Sequence, residues 1–138
     1  MRHRKQNQKL GRSGAHREAL VSALVVSLIK RRSIRTTVVK AKIARQAAEK
    51  LVTIARKGTL ASRRLVAARL RDEDAAAILC KEIAPAMAGR PGGYTRVIRT
   101  ASRGSDGSDM ALLQWVEAGV ASDGGDAVPA DAAARQDA

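Results

Sequence analysis

The sequence predicts an α+β fold in two layers, a small three-stranded mixed sheet covered by about four helices, flanked by a basic arm and an acidic tail. Three observations carry that expectation. Apolar residues recur at helical spacing in four stretches between residues 15 and 88. Two β-rich runs, 94–100 and 110–117, flank a turn-forming Gly/Ser/Asp segment, and a shorter β-branched run interrupts the helices at residues 33–37. The two ends of the chain lack any periodic apolar face. The 138 residues therefore divide into an arm over 1–14, a single domain over 15–118 and a disordered acidic tail over 119–138.

The arm, MRHRKQNQKLGRSG, holds five Lys/Arg, one His and two Gly. It buries too little to offset its ordering entropy, so it is expected to be extended and mobile until a polyanion orders it. Arg2, His3, Arg4, Lys5, Lys9 and Arg12 are its phosphate-facing candidates. A helix follows from about Ala15 to Arg31, capped by Ser13 or Gly14, with Glu18 near its positive dipole end. Leu20, Val21, Leu24, Val25, Leu28 and Ile29 cover more than half its circumference, which makes it the expected central core helix. Lys30, Arg31 and Arg32 close it against the negative dipole end.

The β-branched run Ser33–Thr37 reads as a strand. The second helix spans about Val38 to Lys57, stops at Gly58 and carries a stripe of Ile43, Ala47, Leu51 and Ile54. Lys40, Lys42, Arg45, Lys50, Arg56 and Lys57 make its opposite face basic. The third, Leu60 to Leu70, has a narrow seam of Ala61, Leu65 and Ala68 and displays Arg63, Arg64 and Arg69. The fourth runs from about Glu73 to Ala88, capped by Asp72 or Asp74, with Ile78, Leu79 and Ile83 toward the core and Pro85 bending or ending it. Residues 94–100 and Met110–Glu117 form a hairpin with a longer loop, in which Ala111, Leu113 and Trp115 share a face. The strand at 33–37 is expected to join that hairpin.

Charge points to the partner. Residues 1–58 carry 16 Lys/Arg against Glu18 and Glu49, whereas residues 104–138 carry only Arg135 against seven acidic residues. A solvated surface accounts poorly for sixteen bases beside two acids, so the N-terminal half is expected to bind a polyanion, nucleic acid ahead of an anionic membrane. No apolar run reaches the length of a membrane span, and no apolar signal-peptide core follows the basic start. The single cysteine, Cys80, excludes an internal disulfide and a multi-cysteine zinc site, and reads as a buried structural thiol.

No catalytic constellation emerges. His3 and His16 stand among arginines that repel metal cations, and the spacing of Glu73 and Glu82 puts them on opposite sides of a helix. The stretch Arg90–Thr95 lacks the Gly-Lys-Ser/Thr ending of a phosphate loop and precedes a strand. No metal, cofactor or small-molecule substrate is expected. One Trp, one Tyr and no Phe argue against base-stacking modules, and no DNA-reading motif is present. Shape-directed binding to folded RNA remains. The rivals are a nucleoid-type basic DNA-binding protein, which would bind duplex DNA comparably, and a basic RNA-directed enzyme, which would need an acid/base pair.

Specific residues then carry a resemblance. Met1-Arg2-His3-Arg4-Lys5, His16-Arg17, Thr36-Thr37 before Lys40-Ala41-Lys42, Arg63-Arg64, Arg69-Leu70-Arg71-Asp72 and Gly92-Gly93-Tyr94-Thr95-Arg96 stand in one familiar order. Over residues 1 to about 117 the chain resembles the bacterial large-subunit ribosomal protein number seventeen family. It departs at Ile43, where the family often has an acidic residue, and at Trp115, where a smaller apolar residue is usual. The resemblance implies a non-catalytic cytoplasmic ribosomal protein that binds large-subunit rRNA toward the nascent-chain exit side, among neighbouring ribosomal proteins. The RNA-binding residues expected are those of the arm together with His16, Arg17, Arg31, Arg32, Lys40, Lys42, Arg63, Arg64, Arg69, Tyr94 and Arg96.

Overall fold

In a computed structural model that describes residues 8–116, four helices stand on one side of a three-stranded sheet, the first two packed on the strands and the other two mainly on those helices. Arm residues 1–7, residues 117–118 at the expected end of the domain, and the tail 119–138 lie outside the described residues. The described part of the arm is not extended. Leu10 and Gly11 take left-handed backbone angles, and the Arg12 N–H donates to the Lys9 carbonyl at 3.1 Å, closing a tight turn.

Helix α1 (Gly14–Arg31) starts after Ser13, whose side chain makes no capping bond, and Glu18 lies beyond the first turn. It ends on Arg32, which is left-handed at φ 64°. Strand β1 (Ser33–Thr37) passes without a loop into α2 (Val38–Ala55), where the Val38 N–H donates to the Asp109 carbonyl at 3.0 Å. Helix α3 (Leu60–Leu70) is capped by Thr59, and α4 (Glu73–Ile78) by Asp72, whose carboxylate accepts from the Ala75 N–H at 2.8 Å. α4 continues through a π-helical stretch (Leu79–Ile83) into a last α-turn (Ala84–Ala86). The wide turn lets the helix pass Pro85, which has no N–H to donate and whose ring crowds the carbonyl four residues back.

The central helix is α2, not α1. It packs against α1, α3, α4 and all three strands, whereas α1 buries only Val25, Leu28 and Ile29. The buried face of α2 is Ala41, Ala44, Ala48, Leu51, Val52 and Ala55, so Ile43, Ala47 and Ile54 of the expected stripe fall at its half-buried flank. Small side chains allow neighbours to approach on several sides, which a stripe of larger residues would prevent. In α3 the seam also turns: Ser62, Val66 and Leu70 are buried, while Ala61, Leu65 and Ala68 are exposed. α4 buries Leu79 and Ile83 as expected, together with Ala75, Ala76, Ala84 and Met87.

Strands β2 (Thr95–Thr100) and β3 (Met110–Trp115) form the hairpin, and β1 pairs with the far side of β3, giving the order β1-β3-β2. Both pairings are antiparallel, which corrects the mixed sheet expected from sequence. β1 and β2 run in the same direction, but β3 lies between them, so no parallel ladder forms. Directly paired residues share a face: Ile34, Leu113 and Val97 look toward the helices, Arg35, Leu112 and Ile98 away from them.

Asp72 ties this packing together, since it caps α4 and accepts from Lys30 Nζ of α1 at 2.7 Å. The Ala75 N–H first, and Lys30 second, hold its carboxyl below its ordinary pKa. A carboxyl depressed in the folded state stabilises above its unfolded pKa and loses that contribution as pH falls through the folded one. Asp72→Asn, which keeps a cap acceptor and removes the charge, is expected to melt below the parent at neutral pH. The gap should close once pH drops below the ordinary carboxylate range. A gap independent of pH in thermal melts would show that the charge does not contribute.

Candidate nucleic-acid interface

The described cations fall into two sets. Lys30 pairs with Asp72, Arg32 with Glu82, Arg45 with Glu49 and Arg103 with Asp106. Arg56 belongs to the loop before β2: its guanidinium donates to the carbonyls of Ala88 (2.5 Å) and Arg90 (2.8 Å) and to the Tyr94 hydroxyl (2.7 Å), and lies 5.8 Å from the centre of the Tyr94 ring. These charges are spent within the protein.

The second set makes no side-chain hydrogen bond or ion pair among the described residues. From the sequence expectation it contains Lys9, Arg17, Arg31, Lys40, Lys42, Arg63, Arg64, Arg69 and Arg96, all exposed or half-buried. His16 is also exposed. Arg12 is half-buried, with Nη1 donating to the Leu10 carbonyl at 2.8 Å and Nε buried without a partner. Arg2, His3, Arg4 and Lys5 lie outside the described residues. Arg32 is engaged by Glu82. Tyr94 requires a correction: at 2 % exposure its ring is part of the core and offers no face to a base. It stands just before β2, whose expected run begins at residue 94, and its hydroxyl and ring meet the Arg56 guanidinium.

Folding gathers cations that are distant in sequence. Arg17 of α1, Lys50 of α2, and Arg69 and Arg71 at the end of α3 surround a groove of about 560 Å³ floored by Val21, Ile43, Ala47 and Leu51. Arg63, Arg64 and Lys81 flank a smaller recess of about 270 Å³ between α3 and α4 that also holds Cys80. Partial burial pushes the Cys80 thiol up from its ordinary pKa, against the opposing field of Arg63, so it stays a neutral thiol and not a nucleophilic thiolate. On the sheet face turned away from the helices, Arg35 and Arg96 flank Leu112 and Ile98.

Lys50, Arg71 and Lys81 are not among the RNA-binding residues expected from sequence, although Lys50 belongs to the basic face expected for α2, which is the signal it carried. Arg71 stands beyond its helix end, where helical periodicity assigns no face, and it is held left-handed at φ 56°.

Among the described residues no helix is long and apolar enough to cross a membrane, and no cluster of three or more His, Cys, Asp and Glu could hold a metal. The charged surface can neutralise phosphates.

Sequence comparison agrees with that chemistry. The pattern of the ribosomal protein L17 family matches residues 20–116. The chain is 51% identical over 117 residues to the large ribosomal subunit protein bL17 of Methylacidiphilum infernorum, covering 85% of this chain and 89% of that protein. Its identity to the bL17 of Fusobacterium nucleatum subsp. nucleatum is 47% over 116 residues, covering 84% of this chain and 100% of the relative. The bL17 of Gemmatimonas aurantiaca is also 47% identical over 116 residues, with 84% and 98% covered.

Proposed function

The chain belongs to the ribosomal protein L17 family, and on that premise we propose that it is a non-catalytic component of the large ribosomal subunit that binds and stabilises folded large-subunit rRNA. The observation that carries this reading is the set of unpaired cations spread over α1, α2, α3 and the outer face of the sheet, beside carboxylates that the fold consumes in its own ion pairs. Free guanidinium and ammonium groups on a rigid frame neutralise phosphates without reading sequence, which suits an RNA recognised by its shape. On this reading the arm threads between RNA helices while the domain sits against them, toward the nascent-chain exit side and in contact with neighbouring ribosomal proteins. The protein then works in the cytoplasm, within the ribosome.

Large subunits isolated at high salt should retain the chain in stoichiometric amount. Its loss at salt concentrations that spare the other subunit proteins would refute the assignment, and equal affinity for duplex DNA and rRNA would favour a nucleoid role. The arm supplies a separate check. Replacing Arg2, Arg4 and Lys5 together by Ala is expected to reduce the slope of log affinity against log salt by roughly two to three, at about 0.7–0.9 per lost phosphate contact. An unchanged slope in filter-binding titrations would mean that the arm does not touch the RNA backbone.

A further inference from the structure

We propose that the groove between α1, α2 and the end of α3 receives a single unstacked nucleotide of the bound RNA, its base on the apolar floor and its phosphate on the cationic rim. This inference rests on the RNA-binding reading above and goes beyond it by naming the subsite. The groove, at about 560 Å³, is within the roughly 300–1,000 Å³ typical of small-ligand sites. Its floor and rim differ in kind. Val21, Ile43 and Ala47 offer half-buried aliphatic surface above the buried Leu51, whereas four cations from three helices stand around it.

None of those four cations makes an ion pair among the described residues, and Glu18 is the one acidic side chain along the groove. The Ser22 hydroxyl donates to the Leu70 carbonyl at 2.7 Å, which ties α1 to α3 and occupies a helix-end carbonyl that would repel an anion. Arg71 supplies an independent sign. It holds a left-handed C-cap, a position that favours glycine, and makes no side-chain bond within the described protein. Non-glycine residues held in that region cluster at ligand-contacting sites.

The mixed lining selects the ligand. A phosphodiester backbone on a duplex satisfies the rim but leaves the aliphatic floor exposed. A splayed nucleotide satisfies both, since its base has an apolar face on which an arginine plane can also stack. Glu18 accepts hydrogen bonds only, and so favours a base with N–H donors on its edge.

The test uses the full chain, labelled with nitrogen-15 and titrated with guanosine 5′-monophosphate. Amide signals of Val21, Ala47 and Leu51 should shift with the nucleotide, whereas equal inorganic phosphate should move only signals of the rim. Ala47→Glu, which sets a carboxylate on the floor, should abolish the floor shifts. Arg71→Gly should weaken nucleotide binding at least threefold while melting at or above the parent temperature, because glycine suits the left-handed backbone. Floor amides that ignore the nucleotide while large-subunit rRNA still binds would overturn the subsite and leave the RNA-binding reading standing. Stronger floor shifts with a poly-glutamate peptide would assign the groove to a protein and overturn it too. Failure of the unaltered chain to bind that rRNA would instead overturn the underlying reading.

Discussion

Trp115→Ala is expected to lower stability by about 3–5 kcal/mol, the range for removing a buried aromatic side chain. Trp115 is 4% exposed at the end of β3, and its indole N–H donates to the Leu28 carbonyl in α1 at 3.1 Å. Its backbone N–H reaches the Arg32 carbonyl at 3.3 Å, so sheet and α1 are joined twice at one residue. Because one kcal/mol shifts the midpoint of a domain this size by about 4 °C or more, thermal melts should register a fall of over ten degrees. Trp115→Phe separates the two contributions: it keeps much of the apolar area but drops the donor, at a cost of about 1–3 kcal/mol for a carbonyl left unpaired. A Phe variant as unstable as the Ala one would mean that the indole bond, and not packing, dominates.

The second large effect is expected at Arg56. Its guanidinium joins the end of α2 to the loop before β2 through three hydrogen bonds and the face of Tyr94. Arg56→Ala should cost about 1.5–3 kcal/mol in urea denaturation, since hydrogen bonds to a charged group are the stronger kind. Arg56→Lys should recover little, because an ammonium cannot span acceptors arranged for a planar fork. Amide exchange at Val116, which donates to the Tyr94 carbonyl at 2.9 Å, should accelerate in both variants. A loss below half a kcal/mol would show that the loop holds its shape without this residue.

Local signals explain what was legible beforehand. Gly58, the Asp72 cap and the β-branched run at Ser33–Thr37 mark boundaries that depend on nearest neighbours, and the elements begin and end close to them. The alternation of Ala111, Leu113 and Trp115 likewise identified the inner face of β3. The buried faces of α2 and α3 are rotated from the expected stripes, because alanine-rich helices offer more than one apolar row at helical spacing. The rows of Ile43, Ala47 and Ile54 and of Ala61, Leu65 and Ala68 lie at the flank or in solvent, whereas the interior contacts of those helices are made by Ala41, Ala44, Ala48, Ser62 and Val66. The hairpin and the joining of Ser33–Thr37 to it were legible. The antiparallel sense of the β1–β3 pairing and the grouping of Arg17, Lys50, Arg69 and Arg71 depend on tertiary packing, which periodicity within one helix cannot express. The inward turn of Tyr94 was illegible for the same reason, since its partner Arg56 stands just past the C-terminal end of α2.

The strand order has a consequence for how the protein is made. β3, the last strand among the described residues, lies in the middle of the sheet, where its residue 114 pairs with residue 33 on one side and its residue 115 with residue 95 on the other. A nascent chain that has produced everything up to the loop after β2 holds two strands with no partner strand between them. The ladder bonds and the Trp115 anchor arrive together, in the final few residues of the domain. Long-range pairing of this type delays folding and exposes strand edges meanwhile. Synthesis of β3 is thus the event that licenses the fold, and chains terminated before it lack the central strand that would hide the edges of β1 and β2 from aggregation or proteolysis.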